Sequence, residues 1–181
     1  MLNHIGTQTL ESRRLILRPF SVEDAGAMYR NWASDPEVTK YLTWPTHTGE
    51  AITEGILREW VPHYEEPCYY HWAIVLKDSG EPVGSIAVMS LDERVEKATV
   101  GYCLGRAWWH RGFMTEALNL VIDFLFNRVG LQRVEAYHDP RNPHSGAVMR
   151  KCGMTYEGTL RASDRNNRGI CDACWYAILK E

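Results

Sequence analysis

Val100-Gly101-Tyr102-Cys103-Leu104, then Trp109-His110-Arg111-Gly112-Phe113-Met114-Thr115, then the run from Glu116 to Arg128: the fold turns on this stretch. The first five residues read as a buried strand. Met114, Ala117, Leu118, Val121, Ile122 and Leu125 recur at steps of three and four, which lines one face of a helix. Gly112 therefore stands at a strand-to-helix turn. The first amides of a helix have no partner inside it and sit at the positive end of its dipole, so a turn without a bulky side chain brings them within reach of a phosphate. The residues leave a plainer alternative open, in which the glycine serves only the turn.

Working outward, Asn127-Arg128-Val129-Gly130 stops the helix and Leu131 to His138 alternates as another strand, which predicts a right-handed strand-helix-strand unit with its two strands parallel. Upstream, Tyr70 to Lys77, Pro82 to Leu91 and Ala98 to Leu104 predict three antiparallel strands, with turns at Asp78-Ser79-Gly80 and Asp92 to Glu96. Before them come a strand at Leu15-Ile16-Leu17, a helix capped by Ser21 with Asp24 in the capping-box position, a short helix from Asp35-Pro36 to Tyr41, and a helix from Thr48 to Trp60. Asp139-Pro140-Arg141-Asn142-Pro143 breaks the chain after His138. A helix from Ser145 to Cys152 follows, ended by Gly153, and Met154 to Leu160 and Ile170 to Leu179 are two last strands around a polar loop. The order demands a mixed α/β sheet covered by helices.

A chain of 181 residues, 45% of them hydrophobic, can bury one substantial core. One domain over residues 1–181 is the expectation. A net charge of -3 supplies no electrostatic reason for nucleic-acid or membrane-surface binding. Met1 to Gly6 lacks a basic segment followed by an apolar run, and no stretch has bilayer length, so a soluble, cytoplasmic protein is expected. The five cysteines are odd in number and scattered, which argues against a disulfide framework. Cys171 and Cys174 have CxxC spacing, but residues three apart on a strand point to opposite faces and no second pair completes a zinc site. No metal is expected.

Several motifs in order resemble the GNAT superfamily of acyl-CoA-dependent N-acyltransferases, in the branch like the RimJ and RimL ribosomal-protein alanine acetyltransferases. Gly101-Tyr102-Cys103-Leu104 and the ungapped run Trp109 to Ala117 are similar to the family's strand and pyrophosphate loop. Asn142, Ser145 and Lys151-Cys152-Gly153-Met154 follow at family spacing. Ser12 to Arg18 resembles the opening strand, with Arg13 where glutamate is usual, and Asp35-Pro36-Glu37-Val38 resembles the next helix. Glycine is usual at His110, and alanine or glycine at Met114. The resemblance implies a GNAT fold, with a mostly antiparallel sheet of about seven strands, acetyl-CoA as co-substrate and a monomer or homodimer.

It also implies roles. The pyrophosphate would rest on the amides of His110, Arg111, Gly112, Phe113, Met114 and Thr115, with the Trp109 end of the loop beside it. The pantetheine would follow the edge of the strand ending Cys103-Leu104, where a backbone amide polarises the thioester carbonyl. Asn142 would bond the pantetheine, Lys151 would meet a coenzyme A phosphate, and Ser145 would protonate the departing thiolate directly or through water. Asp164, in the loop between the last strands, matches a base position, with Glu135 and His138 as competitors. Tyr41, Trp44 and Pro45 would wall the acceptor side, and Tyr69, Tyr70 and Trp72 add aromatic surface, mostly as core. The acceptor implied is a protein or peptide N-terminal amine, the alternatives being a small-molecule amine or a non-catalytic acyl-CoA-binding module. A dinucleotide fold lacks its GxGxxG after a first strand.

Overall fold

The computed structural model describes residues 2–181. Met1, the first residue of the N-terminal stretch read above, lies outside them. Eight strands form one sheet: Leu10–Glu11 (β1), Leu15–Arg18 (β2), His71–Leu76 (β3), Pro82–Asp92 (β4), Lys97–Leu104 (β5), Arg133–His138 (β6), Thr155–Asn166 (β7) and Gly169–Leu179 (β8). The helices are Ala25–Met28 (α1), Pro36–Thr39 (α2), Glu50–Trp60 (α3), Phe113–Phe124 (α4) and Pro143–Lys151 (α5). Strand order is β1-β2-β3-β4-β5-β6-β8-β7. Every neighbouring pair is antiparallel except β5 and β6, which are parallel as the crossover through α4 requires. The eighth strand is the two-residue β1, paired to Leu17 and Ile16, too short for any periodic signal.

The alternation along β3 shows how the sheet divides the core. Trp72 and Ile74 join the cluster holding Phe113, Leu118 and Met149 of α4 and α5, whereas Ala73 and Val75 join Met28, Val38 and Leu57 of α1 to α3. Successive side chains of a strand point to opposite faces, so a strand apolar on both parities is covered on both sides. The caps follow the sequence. Asp24 accepts from the Ser21 amide at 2.8 Å, and Asp35 accepts from the Glu37 amide at 2.9 Å. Gly130 ends the helical segment after α4 with φ +94°, in the left-handed region that glycine enters without a Cβ penalty.

The segment around Asp164 departs from expectation. It is strand, not loop: β7 runs on to Asn166, bulging between Leu160 and Asp164 before Asp164 pairs with Cys171. Most side chains in this arm are exposed, so neither face demands apolar residues and the polar sequence hides the strand. Cys171 is buried against Asn166, while Cys174 meets the Thr159 hydroxyl, so the two sulfurs serve separate neighbourhoods.

Candidate active site

Pairing between β5 and β6 is confined to Lys97–Thr99 against Arg133–Glu135. Beyond Thr99 the strands part, and Val100 to Leu104 keep β4 on one edge while the other edge has no strand on it. Glu135, at the closed end, accepts from Lys97, Thr99 and Arg133 at 2.9 to 3.0 Å. The open end leads into a cavity of about 660 Å³ that reaches from the start of α4 to the aromatic residues between α2 and α3.

At the mouth of this gap stands the loop before α4. Gly112 has φ +80° and His110 φ +59°, so both occupy the left-handed region. That geometry is the physical reason for a glycine preference at either position, and His110 meets it as a strained non-glycine residue. The amides of residues 110–115 donate to no backbone or side-chain acceptor among the described residues, and the first loop-to-helix bond runs from Glu116 to the Gly112 carbonyl at 3.1 Å. Six consecutive free donors at the start of a twelve-residue helix form a strong anion-binding arrangement. The loop is held from behind: Glu116 accepts from the Arg14 amide at 3.0 Å and from its guanidinium at 2.7 Å, and Arg14 also donates to the Arg111 carbonyl at 3.0 Å.

The predicted residues Cys103, Leu104, Trp109, His110, Gly112, Phe113, Met114, Thr115, Asn142, Ser145, Lys151 and Asp164 all line the cavity. Arg111 does not; its guanidinium lies 5.7 Å from the Phe113 ring centre on the exposed side of the loop. Trp109, Phe113 and Met114 also pack their side chains into or against the core. Trp109 also donates to the Leu104 carbonyl at 2.7 Å, fixing the end of β5. Burial pushes the Cys103 thiol up to about 12, which leaves it protonated and unsuited to nucleophilic attack at neutral pH.

Of the base candidates, His138 and Asp164 line the cavity and Glu135 does not. Burial alone would raise the Glu135 carboxyl, but its bonds from Lys97, Arg133 and Thr99 outweigh that and hold it below its ordinary value. It is therefore a committed ion-pair partner away from the cavity. His138 is lowered by burial; its Nδ1 lies 2.8 Å from the Asp139 carbonyl oxygen, and its Nε2 is pressed onto Gly146 of α5. Asp164 reaches the cavity wall beside Tyr137, whose phenol is raised by burial and by that carboxylate.

Two features escaped the sequence. Tyr102 projects from β5 so that its phenol lies 3.1 Å from Ser145 Oγ and donates to the Ser145 carbonyl at 3.0 Å. Strand alternation puts Tyr102 on the face of Val100 and Leu104, but nothing local announces a partner 43 residues away. The second is a clamp on the acceptor side. At the β7–β8 turn, the Asn167 side chain donates to the Thr39 and Trp44 carbonyls at 2.9 and 2.7 Å. Tyr41 donates to the Arg141 carbonyl at 2.8 Å, so the Tyr41–Trp44 wall is tied to two other elements. Tyr41, Trp44, Tyr69 and Tyr70 line the cavity, whereas Pro45 and Trp72 do not; Trp72 is wholly buried core.

A mixed sheet parted after Thr99, with a free-amide turn at the parting, defines an acyl-transfer fold, and the comparisons agree. Residues 14–155 match the acetyltransferase (GNAT) domain, and the chain belongs to that family, as an N-acetyltransferase. An uncharacterized N-acetyltransferase p20 of Bacillus licheniformis is 31% identical over 173 residues, covering 96% of this chain and 97% of that protein. The ribosomal protein uS5-alanine N-acetyltransferase of Escherichia coli is 32% identical over a shorter span of 59 residues, 33% of this chain and 30% of that enzyme. A RimL ribosomal L7/L12 alpha-N-protein acetyltransferase, solved with coenzyme A, shares the fold at a TM-score of 0.84 and 19% identity, over 95% of this chain and 98% of that one. The family uses acetyl-CoA as donor. No helix among the described residues is long and apolar enough to cross a membrane.

Proposed function

We propose that residues 1–181 act as one domain that moves an acetyl group directly from acetyl-CoA to a primary amine, and that the preferred amine is the α-amine of a protein or peptide N-terminus. The observation that carries the donor half is the row of free amides at residues 110–115 beside the unpaired edge of Val100 to Leu104. Those amides hold the pyrophosphate, Lys151 adds charge from the end of α5, and Asn142 bonds the pantetheine. A β5 backbone amide polarises the thioester carbonyl. Ser145 gives a proton to the departing sulfur, and Asp164 takes one from the amine. Direct transfer is favoured over an acyl-cysteine because the Cys103 thiol is held protonated by burial.

Two observations support the acceptor. By their names, one relative in sequence acetylates an alanine of ribosomal protein uS5, and one neighbour in fold is a ribosomal L7/L12 alpha-N-protein acetyltransferase. A terminal α-amine, with a pKa near 7.7 to 8.0, also has an appreciable neutral fraction at pH 7, whereas lysine near 10.4 has less than about a thousandth, so a single partly exposed carboxylate suffices as base. The test is thiol release from acetyl-CoA across peptides with free N-termini, the same peptides with blocked N-termini and a free lysine, polyamines and aminoglycosides. Free N-termini are expected to turn over fastest. A polyamine or aminoglycoside outrunning every peptide contradicts the acceptor, and coenzyme A binding without turnover of any amine contradicts catalysis.

A further inference from the structure

We propose that Tyr102 is a positioning residue for the transfer step: from β5 it sets the Ser145 hydroxyl at the place where the thiolate leaves. This rests on the reading of Ser145 as the proton donor. Two bonds join the residues, the phenol donating to the Ser145 carbonyl at 3.0 Å and the Ser145 hydroxyl donating to the phenol oxygen at 3.1 Å. They fix both the backbone of the first turn of α5 and the rotamer of the serine. Both residues line the cavity, Tyr102 from the unpaired strand edge and Ser145 from across the gap. The tyrosine is half-buried, and the loss of water around its phenol holds the proton more firmly, so it keeps donating over the whole working range of pH.

The arrangement matches what the leaving group needs at each stage. A thioester sulfur is a poor acceptor, so before reaction the Ser145 proton rests on Tyr102. As the nitrogen–carbon bond forms and the carbon–sulfur bond breaks, the electron pair leaves on sulfur. Ser145 then turns its proton into that charge, and the phenol turns from the Ser145 carbonyl to Ser145 Oγ, so the oxygen–oxygen bond survives with its polarity reversed. The proton shed by the amine to Asp164 replaces the serine proton through water, and the sum is one amide and one thiol.

The test is a double-mutant cycle on the full-length enzyme, with Tyr102→Phe, Ser145→Ala and the pair, measuring kcat, KM for each substrate and coenzyme A affinity. Tyr102→Phe is expected to lower kcat about tenfold while leaving both KM values and coenzyme A affinity within about twofold, because only an interaction used during transfer is lost. In the Ser145→Ala background it should cost nothing further. Ser145→Thr keeps the hydroxyl, so it should retain most turnover while Tyr102 is present and lose it when combined with Tyr102→Phe, a dependence that a purely structural tyrosine does not produce. A Tyr102→Phe penalty undiminished by Ser145→Ala overturns the proposal, as does an unchanged kcat for Tyr102→Phe where Ser145→Ala is slow. If Ser145→Ala itself turns over normally, the serine reading under the proposed function fails first, and this proposal fails with it.

Discussion

Gly112 carries two demands at once, an amide that must stay free and a φ of +80°. Proline removes the donor and is confined near φ -65°, so Gly112→Pro is expected to weaken coenzyme A binding by at least about tenfold in calorimetry, with secondary structure intact by circular dichroism. Undiminished binding would show that the amides are spectators. Asp164 makes a contrasting case. Asp164→Asn keeps the shape and removes proton acceptance, so kcat/KM should fall about a hundredfold with acetyl-CoA affinity preserved. An equal loss of affinity would return the residue to a structural role. The turn and its free amides were legible in the sequence because a glycine between an apolar strand and an amphipathic run signals them locally. Tyr102 was not, since its role depends on a contact that only the parallel β5–β6 crossover creates.

Among the elements, the longer strands and helices followed from periodicity, while β1, only two residues long, and the part of β7 beyond Leu160 did not, the latter because an exposed arm has no buried face to impose a pattern. The seat of α5 on β6 was equally hidden. A Cβ at Gly146 would stand 2.4 Å from His138 Nε2, and the ring is held there by its bond to Asp139 and its packing on Tyr176. In an open helix, glycine to alanine stabilises by about 1 kcal/mol. Here the sign reverses: Gly146→Ala should destabilise by about 1–3 kcal/mol in urea unfolding, as overpacking does. A stabilised variant would mean that α5 is not seated as described, and the placement of Asn142 and Ser145 would fall with it.

At the scale of the whole molecule, both sides of the sheet hold a histidine whose pKa is lowered by burial, His138 against α5 and His71 under α1 to α3. His71 lies between Tyr69 and Ser85, within hydrogen-bond distance of both, and packs on Trp60; burial lowers its pKa from 6.5 to about 4. Between those values the unfolded chain binds the proton that the folded one refuses, so stability rises with pH across the window. Falling from pH 6.5 to 4, the protein should lose up to about 3 kcal/mol from this residue, and His71→Gln should flatten the slope whatever it does to absolute stability. An equally steep slope in the variant would place the titration elsewhere. The central claim is that the parted strands and the free amides together hold the acetyl donor. A crystal structure with coenzyme A tests it most directly: the account predicts pyrophosphate oxygens on the amides of residues 110–115 and the pantetheine between β5 and β6 with its sulfur near Ser145, and a coenzyme bound anywhere else would contradict it.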